Sequence, residues 1–529
     1  MKRFLYLLIL FAPLLITSCQ GDEITEEDIE PSGNILLTTD EIIMKCGATE
    51  TIQVNVNITG TTLEADHFIL VKPDGSSPDF VTISSAEFIS ERTLQIVLQD
   101  MRDESSPQKY SHAVFLTHFP TGIKSTSSLL IRSADNIPVV YLTTSIAQNN
   151  IDKNNWVSGK ISIDGGAYVD LEEMNCEVKG RGNSTWSWEK KPYAIRLESK
   201  TEVLGMPKHK RWCLIANYMD RTHLRNRMAY HISEFTNLAY TTRNRYVELY
   251  FNGSYQGLYL LTEQIKVDKN RVNIKELSPS DNDEKNITGG YLLEFDTNFD
   301  EDKKFVTTFT SIPVNLKYPD AADISEEQWA YIQEYMKELD MEIRSLKSGR
   351  REPDKVYELL DRDSMIDYWI VYEIMANHEI LHPKSVYFYK DRGGKLVAGP
   401  VWDFDYATLI QSTATSWINY NLSWNQTDFP WYEKNWWNFL MQNDPEFKAG
   451  IKKRWNELYP SFQTIPEFID QEYDYILPAV IRNNQKWTSI RGTGFPNGDE
   501  NLSFEAAVER LINVYTSRIE WMNSQINSW

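Results

Sequence analysis

Gly399-Pro400-Val401-Trp402-Asp403-Phe404-Asp405 closes an apolar run, residues 396–402, that reads as a strand entering a turn. In an extended segment Asp403 and Asp405 point to one side and Phe404 to the other. Two hard oxygen ligands then converge while an aromatic anchors the turn in the core. That is a way to hold a divalent cation, and a solvated turn has the same spacing. The residues upstream must decide between them.

Met375-Ala376-Asn377-His378-Glu379-Ile380-Leu381-His382-Pro383-Lys384-Ser385 sets a polar cluster between an apolar helix pattern and the aromatic strand pattern Val386-Tyr387-Phe388-Tyr389, where a catalytic loop would sit. His378 and His382 have the spacing of a helical zinc pair. Pro383 follows directly, however, and the order His-Glu-x-x-His is absent, which rejects zinc. Asp296-Thr297-Asn298-Phe299-Asp300-Glu301-Asp302 opens like a calcium loop but lacks the glycine and glutamate such a loop needs later, and reads as an acidic loop.

Further back, Lys179-Gly180-Arg181-Gly182-Asn183-Ser184-Thr185-Trp186 is a turn with free backbone NH groups and side chains that donate to anions. The third glycine and the following helix of a dinucleotide fingerprint are missing, so that site is not supported. Lys190-Lys191-Pro192-Tyr193-Ala194-Ile195-Arg196-Leu197 continues as a strand led by lysines. A Gly-rich turn followed by a strand lysine is how a kinase small lobe meets nucleotide phosphates; a hairpin with surface lysines is the alternative. Glu263 ends an apolar strand, either as the partner of a cleft lysine or as a strand-end charge. Asp220 reads as the N-cap of a helix carrying Met228 and Ala229, and the basic residues around it, Arg221 to Arg227, face phosphates or solvent.

The chain has 529 residues, long enough for two or three domains, and 12% of them are aromatic, which marks ordered globular structure. Its 75 acidic against 54 basic residues give a formal charge of −21, a field that repels nucleic acid. Met1-Lys2-Arg3, the apolar residues 4–15 and Ile16-Thr17-Ser18-Cys19 resemble a bacterial lipoprotein signal. The expectation is lipidation of Cys19 in a cell-envelope, outer-membrane lipoprotein, periplasmic or surface-exposed, with the membrane reached through the lipid alone. Residues 20–33 read as an acidic flexible tether. Cys46, Cys176 and Cys213 are then an odd number and read as buried small hydrophobes. Residues 34–134 alternate in short strands between turns, as in a small all-β, immunoglobulin-like sandwich that serves as spacer or contact domain. Residues 135–529 begin strand-rich, with the hairpin signal Asn252-Gly253, and continue helix-rich over 326–346, 363–375, 445–458 and 505–526. That order reads as α+β, in two lobes with a cleft between them.

Arg181-Gly182-Asn183-Ser184-Thr185, Lys190-Lys191-Pro192-Tyr193, Gly257-Leu258-Tyr259-Leu260-Leu261-Thr262-Glu263, Gly289-Gly290-Tyr291-Leu292-Leu293-Glu294 and Trp402-Asp403-Phe404-Asp405 occur in the order found in the spore coat protein H (CotH) kinase family, which the chain resembles over residues 137–529. The resemblance implies an atypical protein-kinase-like fold that moves the γ-phosphoryl of ATP to protein Ser/Thr hydroxyls with Mg²⁺ or Mn²⁺. It puts Asp403 at the family's metal aspartate with Asp405 as second ligand. Arg181, Lys190 or Lys191 and Lys384 would stand on phosphate, with Glu263 as a lysine's partner, and Glu379 where many members carry the catalytic aspartate. Glu379 is one methylene longer than that aspartate, and Pro383-Lys384-Ser385 stands where a metal-binding asparagine is expected. A catalytically impaired, surface-anchored binding protein is therefore an alternative, glycan-binding through the degenerate kinase cleft or through Trp417, Trp424, Trp431, Trp436 and Trp437, tryptophans that more often serve as core and lid packing than as a sugar platform. Nucleotidyl or glutamyl transfer on the same fold is another.

Overall fold

The computed structural model describes residues 30–44, 47–102, 111–133, 137–166, 168–347, 353–381, 383–406, 408–418, 435–487, 497–499 and 501–529. The signal segment with Cys19, residues 20–29 of the tether, Cys46, His382, Trp424 and Trp431 lie outside the described residues, and the tether's last residues, Ser32 and Gly33, belong to a strand. The chain divides into two compact units, Met1–Arg132 and Ser133–Trp529.

The first unit is built of β1 (Ser32–Leu37), β2 (Glu41–Met44), β3 (Thr49–Thr59), β4 (Phe68–Val71), β5 (Val81–Phe88), β6 (Thr93–Asp100), β7 (Ser111–His118), β8 (Ile123–Lys124) and β9 (Leu129–Ser133). One sheet runs β1-β3-β6-β5 and the other β2-β9-β7-β4, with β8 on β7. Strict alternation explains β3: Ile52, Val54, Val56 and Ile58 turn inward while the residues between them face out. Ile52 pairs with Ile96 and Val54 with Leu94, and both sheets feed one core with Leu70, Leu116 and Ile131.

The second unit begins with β10 (Val139–Thr144), β11 (Val157–Asp164), β12 (Leu171–Gly180), β13 (Tyr193–Val203), β14 (Met206–Ile215), β15 (Asn244–Phe251) and β16 (Ser254–Glu263). These close into a barrel in the order β10-β11-β12-β13-β14-β16-β15. Val178, Ile195 and Leu214 fill the barrel, whereas Cys213 and Ile215 point out of it into the larger helical core. A second sheet, β18-β19-β17-β20-β21, combines β17 (Tyr291–Phe295), β18 (Lys304–Val306), β19 (Pro313–Tyr318), β20 (Val386–Lys390) and β21 (Leu396–Ala398).

The helices are α1 (Arg225–Glu234), α2 (Glu326–Leu346), α3 (Pro353–Leu359), α4 (Arg362–Ile374), α5 (Trp436–Asn443), α6 (Pro445–Phe462), α7 (Ile465–Lys486) and α8 (Phe504–Asn527); α4 packs on β21 of that sheet, whereas α7 packs on β16 of the barrel. Ser325 and Gln328 form a capping box that fixes the start of α2. Every residue from Ser364 to Ile374 of α4 is buried, so this helix has no wet face. Its Glu373 meets Arg518 of α8 at 2.7 Å, both fully buried. The helix α7 went unread because Pro478 stands inside it, and β14 because Lys208-His209-Lys210-Arg211 masks its alternation.

Several expectations need correction. Arg225 does not face phosphate: it is fully buried and bonds Asp220 at 2.5 Å and Asp499 at 2.6 Å, while Arg227 pairs with Glu472 at 2.9 Å. Asp220 is not the residue flanking α1; Leu224 is, although Asp220 still accepts from the Arg225 backbone N–H. Trp436 and Trp437 are buried, and Trp417 packs on Trp369, Trp521 and Trp529, so none of the three offers a flat exposed sugar platform. Cys176 and Cys213 are buried free thiols, as read.

Candidate active site

A cleft of about 270 Å³ opens where the turn after β12, the end of β14, the segment after β16, the loop after β17 and the turn after β21 meet. Its walls carry Glu294, Asp296, Asp300, Glu301, Glu379, Asp403 and Asp405 against Arg181, Lys266, Lys317 and Lys384. A larger cavity, about 530 Å³, lies along α8, but Glu509 and Arg510 are its only charged walls and no sequence-derived site residue reaches it.

The Asp403 turn is not an extended strand end. Asp403 has φ +68°, in the left-handed region, so strand alternation does not orient its carboxylate. Four side chains hold this backbone instead. Tyr372 donates to the Trp402 carbonyl at 3.0 Å, Asn377 to the Asp403 carbonyl at 3.0 Å and Asn497 to the Asp405 carbonyl at 2.9 Å, while Asn226 accepts from the Phe404 N–H at 2.8 Å. Phe404 is buried against Tyr372, with ring centroids 4.8 Å apart. The backbone polar groups are thus satisfied from behind, leaving the carboxylates to the cleft.

Asn377 does double duty. Its Oδ1 accepts from the Glu379 N–H at 2.7 Å, so one side chain fixes both the Glu379 turn and Asp403. Glu379 is buried, and its Oε2 has no hydrogen-bond partner among the described residues. Burial first, and then the Asp403 charge, holds the Glu379 carboxyl well above its usual range, against the pull of Lys384. Asp405 is raised in the same way by burial, Asp403 and Asp220. Asp403 is raised by burial, opposed by Arg181, and its carboxyl lies within hydrogen-bonding reach of Asp405. Arg181 stacks over Trp402 with its guanidinium carbon 5.4 Å from the ring centroid.

Carboxyls that repel one another, two of them buried and Asp403 half-buried, one with an orphaned oxygen, suit a divalent cation and an incoming hydroxyl. The pair Asp403 and Asp405 would hold the ion, with phosphate and water oxygens completing its shell. Among the described residues the only three His, Cys or acidic groups whose ligand atoms lie within 4.8 Å of one another are Glu64, Asp66 and His67 of the first unit, so the cleft supplies a pair and not a cage.

Arg181, Lys384, Glu379, Asp403 and Asp405 are brought together; Lys190, Lys191 and Glu263 are not. Lys190 is fully buried, donates to the Ala216 carbonyl at 2.8 Å and to the Leu258 carbonyl, and lies 4.6 Å from the Tyr259 ring centroid. Its ammonium is committed to the barrel. Lys191 donates to the Trp186 carbonyl at 2.6 Å. Glu263, fully buried, binds Tyr240 at 3.0 Å and Arg243 at 3.1 Å. Lys190→Met is accordingly expected to lower stability by about 1–3 kcal/mol, through two unpaired carbonyls, and to leave nucleotide affinity unchanged. Urea unfolding and nucleotide titration of the variant measure both.

Lys266, Lys317, Asn226 and Asn497 had no site role in the sequence, Asp296 read only as part of an acidic loop, and Asn377 read only as a member of the polar cluster around Glu379, without its positioning role. Lys317 bonds Glu294 at 3.2 Å and also Glu301. Asp296 accepts from the backbone N–H of Asn298 at 2.6 Å and of Ser385 at 3.1 Å, tying the acidic loop to the Lys384 segment. Its place directly after the Gly-Gly-Tyr-Leu-Leu-Glu strand was the available signal. Burial, then Glu294, raises the Asp296 carboxyl from 3.8 to about 6. Between those values the folded chain holds a proton that the unfolded chain has lost, so stability falls as pH rises from about 4 to about 6. Asp296→Asn is expected to remove about 2–3 kcal/mol of that fall, read as a flatter plot of urea unfolding free energy against pH.

This is an α+β unit whose cleft combines a rigidly held carboxylate pair with the cations Arg181, Lys266, Lys317 and Lys384. A family model described as CotH kinase protein matches residues 178–522, and the chain belongs to that family. Membership points in general terms to nucleotide and divalent-metal use. No curated protein matches the chain.

Proposed function

We propose that the chain is a protein kinase of the CotH type that transfers the γ-phosphoryl of ATP to a Ser or Thr hydroxyl. The observation that carries this reading is the Asp403–Asp405 pair facing Arg181, with the unpaired Glu379 Oε2 in the same cleft. Asp403 and Asp405 would hold Mg²⁺ or Mn²⁺, which would supply positive charge to the phosphates and relieve the carboxylate repulsion that keeps Glu379 protonated. Arg181 and Lys384 then meet phosphate oxygens, and Glu379 orients the acceptor hydroxyl. The hydroxyl oxygen bonds to the γ-phosphorus, the bond from that phosphorus to the β–γ bridging oxygen breaks, the hydroxyl proton passes to Glu379, and ADP leaves. Positioning and charge stabilisation supply the rate.

A second reading, an impaired kinase that binds without turnover, is favoured by Lys384. Its ammonium lies 3.3 Å from Asn298 Oδ1, in the segment where the family resemblance puts a metal-binding asparagine, so its charge would compete with a second cation. ATP labelled at the α or the γ position separates the readings in the presence of Mn²⁺. Label from γ alone supports phosphoryl transfer, label from α supports nucleotidyl transfer, and binding without label supports the impaired reading. Lipidation at Cys19 would set this activity in the cell envelope, on a protein acceptor.

A further inference from the structure

We propose that the outer face of β12, β13 and β14 beside the cleft is a docking surface for an acidic polypeptide segment. It rests on the kinase reading only in assigning that segment to the acceptor protein.

The register defines the face. Lys179 pairs with Ala194 and Ala194 with Cys213; Glu177 pairs with Arg196 and Arg196 with Arg211. Residues opposite one another in a sheet share a side. The intervening row, Val178, Ile195 and Trp212, fills the barrel, so the first two rows point outward. Cys213 lines the cleft, which makes this face the continuation of the cleft wall.

Trp156 lies on it and gathers three cations: Lys179 Nζ is 5.1 Å from the ring centroid, and the guanidinium carbons of Arg196 and Arg211 are 4.8 and 4.7 Å away. Arg196 is paired with Glu177. Lys179, Arg211 and the cleft residue Lys266 have no side-chain hydrogen bond or ion pair among the described residues. Glu301 attracts Lys179, and Asp320 attracts Arg211 and Lys266, without pairing with them; Glu301 is itself bound to Lys317. Burial and the neighbouring cations push Lys179 and Arg211 below their usual values, so the fold assembles this charge at a cost.

On a chain of net charge −21, an island of unpaired cations held in place by an indole is complementary to carboxylates. The negative field elsewhere, the carboxylate-rich cleft included, turns an acidic segment away, which confines its docking to this face beside the cleft. The nucleotide's phosphates have other partners, Arg181 and a cation on Asp403 and Asp405. Arg211 lies two residues, about 7 Å, further along the strand than Cys213.

The test titrates the full chain at low salt with a fluorescein-labelled oligoglutamate and, separately, with a fluorescent ATP analogue plus Mn²⁺. The double variant Lys179→Glu with Arg211→Glu is expected to bind oligoglutamate about tenfold more weakly, with a shallower salt dependence, and to bind nucleotide as before. Lys179→Gln with Arg211→Gln gives a smaller loss of the same kind, and an unshifted melting temperature establishes that each variant folds. Unchanged oligoglutamate affinity in a folded variant overturns the proposal. A parallel loss of nucleotide affinity overturns it too, assigning the patch to the nucleotide. Both readouts are binding, so a chain that transfers no label refutes the kinase reading and leaves this one standing.

Discussion

Asp403→Asn is expected to cut phosphoryl transfer about a thousandfold while making the cation-free chain more resistant to heat. The two effects have one cause. Asp403 sits at φ +68°, a conformation asparagine tolerates, so the turn survives the substitution. What disappears is a half-buried charge that raises both Glu379 and Asp405 and that would hold the cation. A structural turn residue would behave in the opposite way, losing stability with little effect on any metal-dependent property. Initial rates with γ-labelled ATP and melting curves in chelator measure both.

Glu379→Gln is expected to lower kcat about a hundredfold with KM for ATP unchanged. Gln preserves the length of the side chain and the Asn377 bond to the backbone N–H, and removes only the ability of Oε2 to take a proton. The split between kcat and KM is the informative quantity, because a nucleotide-binding residue would move KM. A loss in both would reassign Glu379 to nucleotide or metal binding.

Much of the fold was legible because its strands and helices obey simple periods: β3 alternates strictly, and α2 carries its own capping box. Elements whose local chemistry argues against them were not, namely α7 with its internal Pro478 and the basic strand β14. At the site, residue types announced themselves where chemistry demands them: Asp403, Asp405, Glu379, Arg181 and Lys384 all reach the cleft. The lysines of β13's approach misled for a physical reason. Pattern places a lysine near a strand but does not say to which side it turns, and Lys190 turns into the barrel to serve two carbonyls. The positioning roles of Asn226 and Asn497 left no signal, and Asn377 stood out only as a member of the polar cluster around Glu379, since the three come from distant segments that only the folded chain assembles.

Asp403 would hold the cation that in turn holds the nucleotide. Calorimetric titration of ATP into the full chain, with Mn²⁺ and with chelator, and again with Asp403→Asn, measures that link directly. The prediction is saturable binding only with Mn²⁺ and its loss in the variant. Equal binding with and without the cation, or unimpaired Mn²⁺-dependent binding by folded Asp403→Asn, would contradict it.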